Sequence, residues 1–160
     1  MHALIIDNTQ SRLDHSLITL MEAGVQVTGT GSLVVAETCI LRMGVDLLVI
    51  EKSTIGDALG DILGLAEERN PLLVSVLRTA DVGPDQEELT PHFPSLHCVV
   101  GQDVPNEIAV KLGVASLRAQ ATQSVTPARG LRFRRKLQVE PKLPAVIPPL
   151  PMVGPLAATA

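Results

Sequence analysis

Short, uninterrupted apolar runs alternate along the chain with longer stretches in which apolar residues recur every three or four positions. Ala3-Leu-Ile-Ile6 stops at Asp7, and Leu47-Leu-Val-Ile50 stops at Glu51. A run of this length, apolar at every position and closed by an acid, reads as a strand buried on both faces, as in a parallel sheet. Val25 to Thr28, Leu72 to Leu77 and Leu96 to Val100 complete a set of five strands. A first helix is capped by Asn8 or Thr9 and runs to about Ala23, with Leu13, Leu17, Leu20 and Met21 at inward spacing, and Gly24 ends it. The Gly29-Thr30-Gly31 turn leads to a second helix from about Ser32 to Met43, which turns Val35, Cys39 and Ile40 inward. A third spans Asp57 to Glu68 with Leu59, Ile62, Leu63 and Ala66. Pro84, Pro91 and Pro94 leave space for about two helical turns around Gln86 to Leu89. Pro105 suits the first position of a last helix ending near Gln120.

Five strands with helices between them imply an α/β fold, a parallel sheet with right-handed crossovers and helices on both faces. Ligand chemistry in such a sheet gathers at the carboxyl ends of the strands. That edge receives Asp7 with Asn8, Thr28, Glu51, Thr79 with Ala80, and Gly101 with Gln102.

Composition narrows the function classes. The 160 residues, 46% of them hydrophobic, suit one domain. Phe93 and Phe133 are the only aromatic residues, which excludes a binder that stacks nucleic-acid bases on aromatic platforms. No apolar run approaches the ~20 residues of a membrane span, and Met1-His2-Ala3 opens without a basic signal region. Cys39 and Cys98 make no disulfide framework or zinc site and read as core residues. A reducing, cytoplasmic location is therefore expected. His15, His92 and His97 show no metal spacing. Thr28-Gly29-Thr30-Gly31-Ser32 lacks the Lys and the length of a phosphate loop and reads as an ordinary turn.

The net charge of −4 hides a division. Residues 1–122 hold 7 Lys+Arg against 16 Asp+Glu, a balance of −9, whereas residues 123–160 hold 6 against 1, a balance of +5. The second segment also carries 7 of the 12 prolines. Two domains follow: a globular body at 1–122 and a basic, proline-rich, disordered tail at 123–160. Arg129, Arg132, Arg134, Arg135 and Lys136 cluster there, ahead of Pro-x-x-Pro spacings that favour polyproline II. Such a tail is drawn to anionic surfaces, and it is the only part suited to nucleic acid.

The set at the strand ends resembles the receiver domain of bacterial two-component response regulators over roughly residues 2–120. Asp7-Asn8 matches the acidic pair that holds Mg²⁺ in that family, Glu51 the phospho-accepting Asp, Thr79-Ala80 the Thr/Ser-Ala step, and Gly101-Gln102 the Lys-Pro step. Pro105-Asn106-Glu107-Ile108 is similar to the start of the family's final helix, and Asn8-Thr9-Gln10-Ser11-Arg12 to its loop into the first. The resemblance implies a flavodoxin-like, doubly wound five-stranded parallel sheet of order 2-1-3-4-5.

Three matched positions depart from the pattern, each with a chemical consequence. Glu51 keeps the charge but moves the carboxylate about one methylene outward, against in-line geometry. Asn8 removes an anionic ligand from a hard cation, and Gly101 removes the ammonium that would pair with phosphoryl oxygens. The expectation is a degenerate pseudo-receiver: no enzyme, no required cofactor, acting through a protein partner in a bacterial signalling pathway. Asp7 and Glu51 stay as the residual Mg²⁺ pair, and Lys52 reads as a solvated surface lysine. The alternative is a true phospho-receiver with unusual acceptor chemistry at Glu51, followed by non-specific nucleic-acid binding through the tail.

Overall fold

The computed structural model describes the backbone of residues 1–125 and the side chains of 1–122; the tail expectations, including the basic cluster, lie outside the described residues. The strands are β1 (His2–Ile6), β2 (Gln26–Thr30), β3 (Leu47–Glu51), β4 (Val74–Thr79) and β5 (Leu96–Gly101). All pair in parallel, in the order β2-β1-β3-β4-β5. The helices are α1 (Gln10–Glu22), α2 (Leu33–Arg42), α3 (Lys52–Ile55), α4 (Leu59–Arg69), α5 (Val82–Leu89) and α6 (Asn106–Val125).

Because successive strand side chains point to opposite faces, each apolar run feeds two cores. Leu4, Ile6, Leu48, Ile50 and Leu77 pack with Ala36 and Ile40 of α2 and with Leu59, Ile62, Leu63 and Ala66 of α4. Ala3, Ile5, Leu47, Val49, Val74 and Val76 pack on the other face with Leu13 and Leu20 of α1 and with Val110, Val114 and Leu117 of α6. Gly113 lets α6 lie close to the sheet, since a β-carbon there would meet the Leu47 side chain at 2.7 Å. Gly24 ends α1 with φ 75°, the left-handed turn that glycine adopts without strain.

Several local expectations are corrected. β2 continues through Gly29 to Thr30, so Thr28 lies within the strand and Thr30 ends it. Once β1 supplies a ladder, the run of small and β-branched residues extends. Val35 is 45% exposed and Met21 67% exposed, while Ala36 and Ser16 take the inward positions. Shifting the buried stripe by one residue favours the small side chains that let each helix approach the sheet. Cys39 and Cys98 are half-buried at the margins of the cores. Pro105 precedes the first turn of α6, its carbonyl accepting from the Ile108 and Ala109 amides. α6 itself runs beyond Gln120 and Gln123 to Val125.

Candidate functional site at the carboxyl edge of the sheet

Period-two alternation divides the rim as it divides the core. Asp7, Glu51 and Arg78 continue the sequences that point toward α1 and α6, whereas Thr79 follows Leu77 toward the opposite face. Two polar clusters result, one on each side of the sheet.

The first is built on two buried carboxylates and two guanidinium groups. Arg12, on the first turns of α1, grips Asp7 with both arms: Nε donates to Oδ2 at 2.7 Å and Nη2 to Oδ1 at 2.8 Å. The Thr9 amide adds a third bond to Oδ1 at 2.8 Å. This fork geometry is the strong form of a carboxylate pair, and donation to Asp7 raises the Arg12 pKa above its ordinary value. Nη2 of Arg12 also lies 3.9 Å from Oε2 of Glu51. Glu51 and Arg78 are register partners on β3 and β4, with Nη1 of Arg78 3.5 Å from Oε2. Oε1 of Glu51 accepts from Gln102 Nε2 at 2.7 Å and from Ser53 Oγ at 3.2 Å. The second arm of Arg78 donates to the Gln102 and Val104 carbonyls, each at 3.0 Å, tying β4 to the loop after β5. Burial lowers the Arg78 pKa, and the charge of Glu51 opposes that shift. Oε2 of Glu51 and Nε and Nη1 of Arg78 are buried without a hydrogen-bond partner. Charge attraction therefore holds this pair together without saturated hydrogen bonding.

The second cluster centres on Asp85, in the first turn of α5. Its Oδ2 accepts from the Thr79 hydroxyl at 2.5 Å and its Oδ1 from Lys52 Nζ at 2.6 Å. Burial opposes ionisation of Asp85, but the bonds from Lys52 and Thr79 prevail and hold its carboxyl below the usual range. The same bond, chiefly, raises the pKa of Lys52. Lys52 is thus a paired lysine facing α5, which corrects its reading as a freely solvated one. The Thr79 oxygen also accepts from the Asp81 amide at 3.2 Å, fixing the entry to the helix.

The structure brings Asp7 and Glu51 into one network through Arg12, places Thr79 in the other, and leaves Ala80 exposed at the rim. The Asn8 side chain is exposed and accepts from the Thr9 hydroxyl, while its amide donates to Thr54. Gly101 pairs in register with Thr79, and a β-carbon on it would press on the Asp103 carboxylate, the movable end of a side chain. Arg12, Arg78 and Asp85 complete the clusters although their sequence contexts do not assign them that role, and Gln102, expected at this edge, joins the first through Glu51. The signal for Arg78 was in plain sight: an arginine one residue from the end of an apolar strand must find a buried partner.

Among the described residues no group of three or more His, Cys, Asp and Glu side chains is arranged to hold a metal ion. No helix there is long and apolar enough to cross a membrane. With Asp7 chelated by Arg12 and Asn8 turned outward, the donor set does not fit a hard divalent cation, which wants several free oxygens.

No protein-family model and no curated protein matches the sequence. Solved structures do share the fold, and it is that of CheY-like receiver domains. A CheY-like response regulator receiver domain protein from Methanospirillum hungatei superposes with a TM-score of 0.65 at 14% identity, over 76% of this chain and 97% of that one. An orphan response regulator of H. pylori gives 0.60 at 17% identity, over 74% of this chain and 97% of that one. A Rhodopirellula baltica protein described as an adenylate cyclase gives 0.61 at 16% identity, over 77% and 93%.

Proposed function

We propose that this chain is a receiver-like signalling module that works through protein–protein contacts and takes no phosphoryl group. The observation that carries this reading is the bidentate grip of Arg12 on Asp7, which spends both carboxylate oxygens on a cation built into the chain. Phosphoryl transfer to a carboxylate needs a divalent ion to screen the incoming charge and a nucleophile free to align. Here the nucleophile position is occupied by Glu51, which the Gln102 amide, Ser53 hydroxyl and Arg78 charge hold in place. The Thr79 hydroxyl is likewise spent on Asp85. Both clusters are closed by internal partners, so the module holds one state through fixed charges and presents its helices to a partner in that state.

Exposure to acetyl phosphate and Mg²⁺ tests this directly. The expected result is no base-labile phosphoryl adduct and no Mg²⁺-dependent change in the protein, even at saturating metal. A labelled acyl phosphate on Glu51 would refute the proposal in favour of a phospho-receiver. The Glu51→Asp/Gly101→Lys variant serves as the companion measurement, because it restores the shorter carboxylate and supplies an ammonium. Combining it with Arg12→Ala also releases Asp7 for a cation, so labelling should be greatest in the triple variant.

A further inference from the structure

The two edges of the sheet differ in how they are finished. β5 is paired to β4 with a register irregularity at Ser75/Val76, and the Gln120 amide of α6 reaches over it to His97 at 2.9 Å. Both features are ways of blunting an edge. β2, at the other end, runs in unbroken register with β1 over all five of its residues, Gln26, Val27, Thr28, Gly29 and Thr30. It has no proline, no charge and no bulge.

The bonding pattern shows which of its groups face outward. Gln26 donates to Met1 and the Thr30 carbonyl accepts from Asp7. In a parallel ladder, alternate residues engage the neighbouring strand, so Gln26, Thr28 and Thr30 face β1. The N–H and C=O of Val27 and Gly29 therefore point away from the sheet, and no group among the described residues meets them. Gly29 is exposed and Val27 half-buried. Met21 of α1, 67% exposed, stands beside the start of the strand. A groove of about 460 Å³, lined by Met21, Gly24, Val25, Gln26 and Val27, runs beside the start of the strand.

We propose that two copies of this chain join edge to edge through β2, antiparallel about a twofold axis at Thr28. The reason for a second copy is the self-complementarity of the outward groups. With the axis at Thr28, Val27 of each copy lies opposite Gly29 of the other, and both residues of each pair turn their polar groups toward the partner. Each pair exchanges both N–H···O=C bonds, which satisfies the whole outward row of the strand in both copies. The absence of like charges in the strand removes the usual obstacle to pairing. This interface is independent of how the rim clusters work.

The decisive measurement is a directed cross-link in the full chain, with Cys39 and Cys98 both replaced by Ser. Thr28 and its symmetry mate form a non-hydrogen-bonded pair with Cα atoms about 4.5 Å apart, within reach of a disulfide. Thr28→Cys should give a covalent dimer on mild oxidation, and Gln26→Cys should give none. In parallel, light scattering of the wild-type chain should report twice the monomer mass. Val27→Pro, which removes an outward N–H and no bond to β1, should return it to monomer with its circular dichroism unchanged. A wild-type chain that stays monomeric as concentration rises overturns the proposal. So does a Thr28→Cys chain that oxidises without dimerising, or a dimer that survives Val27→Pro. If Val27→Pro fails to fold, the cross-link alone decides.

Discussion

The two faces of the sheet solve the same problem at the rim by different means. On the α1–α6 face, four charges from Asp7, Arg12, Glu51 and Arg78 are compressed into one network whose deepest atoms, Glu51 Oε2 and Arg78 Nη1, attract without hydrogen bonding. On the α5 face a single carboxylate, Asp85, is saturated by a hydroxyl and an ammonium on its two oxygens. The first network ties strands to strands and to the loop after β5; the second ties a strand to a helix. The lesson is that the cost of losing one partner scales with how far from water that partner lies, and that the two clusters control different motions. Loss on the first face should weaken the whole domain, and loss on the second should free α5.

The largest effect is expected from Arg78→Met. Removing the cation while leaving Glu51 buried costs about 3–5 kcal/mol, as for other broken buried pairs. Urea unfolding measures it. The Glu51→Leu/Arg78→Met double variant should recover most of the loss, since neither charge then needs a partner. A single variant as stable as wild type would show that the network is a bystander.

Next comes Asp85→Asn, at about 1–3 kcal/mol, because Thr79 and Lys52 lose a charged acceptor. Hydrogen exchange should rise selectively over Val82–Leu89, and uniform acceleration across the domain would erase the contrast between the faces. The pH dependence gives its sign. The folded Asp85 carboxyl lies below its usual value, so its contribution is present above the unfolded pKa of about 3.9 and is lost as pH falls through the folded one. Lys52 is shifted upward, so its contribution is present below about pH 10.4 and fades as pH rises through its folded value. Asp85→Asn should flatten the acid slope of stability, and Lys52→Met the alkaline one.

Arg12→Ala should cost less, roughly 1 kcal/mol, because Arg12 stands at the solvent boundary and water replaces part of what it gives Asp7. Raised salt should shrink even that difference. The smallest effect belongs to Gly101→Lys, within about 0.5 kcal/mol by thermal denaturation. The Asp103 carboxylate swings aside to make room, and the new ammonium then pairs with it.

Much of this architecture was legible from the order of residues. Two runs apolar at every position, Ala3–Ile6 and Leu47–Ile50, read as doubly buried strands, and with three more mixed runs spaced by helical segments they leave few topologies. The carboxyl-edge residues Asp7, Glu51, Thr79 and Gly101 were placed by the same reasoning, since a strand's last residue must stand at the rim. What could not be read was pairing. Nothing near Asp7 says that Arg12 will reach back to it, or that Arg78 will face Glu51, until the register of β3 against β4 is known. Asp85 looked like one more acid in a proline-broken stretch; folding Val82–Leu89 into α5 brought it under Thr79. The inward stripe of α2 slipped by one residue for a similar reason, because the depth of the sheet surface chose Ala36 over Val35.

Local chemistry, then, settled the kind of fold and the place where polar groups must collect, because burial of an apolar run is decided by its own composition. Partner choice among those polar groups, and the finish of each sheet edge, depended on distances between segments far apart in the chain. Only the assembled sheet sets those distances, through strand order, register and the face on which each side chain emerges.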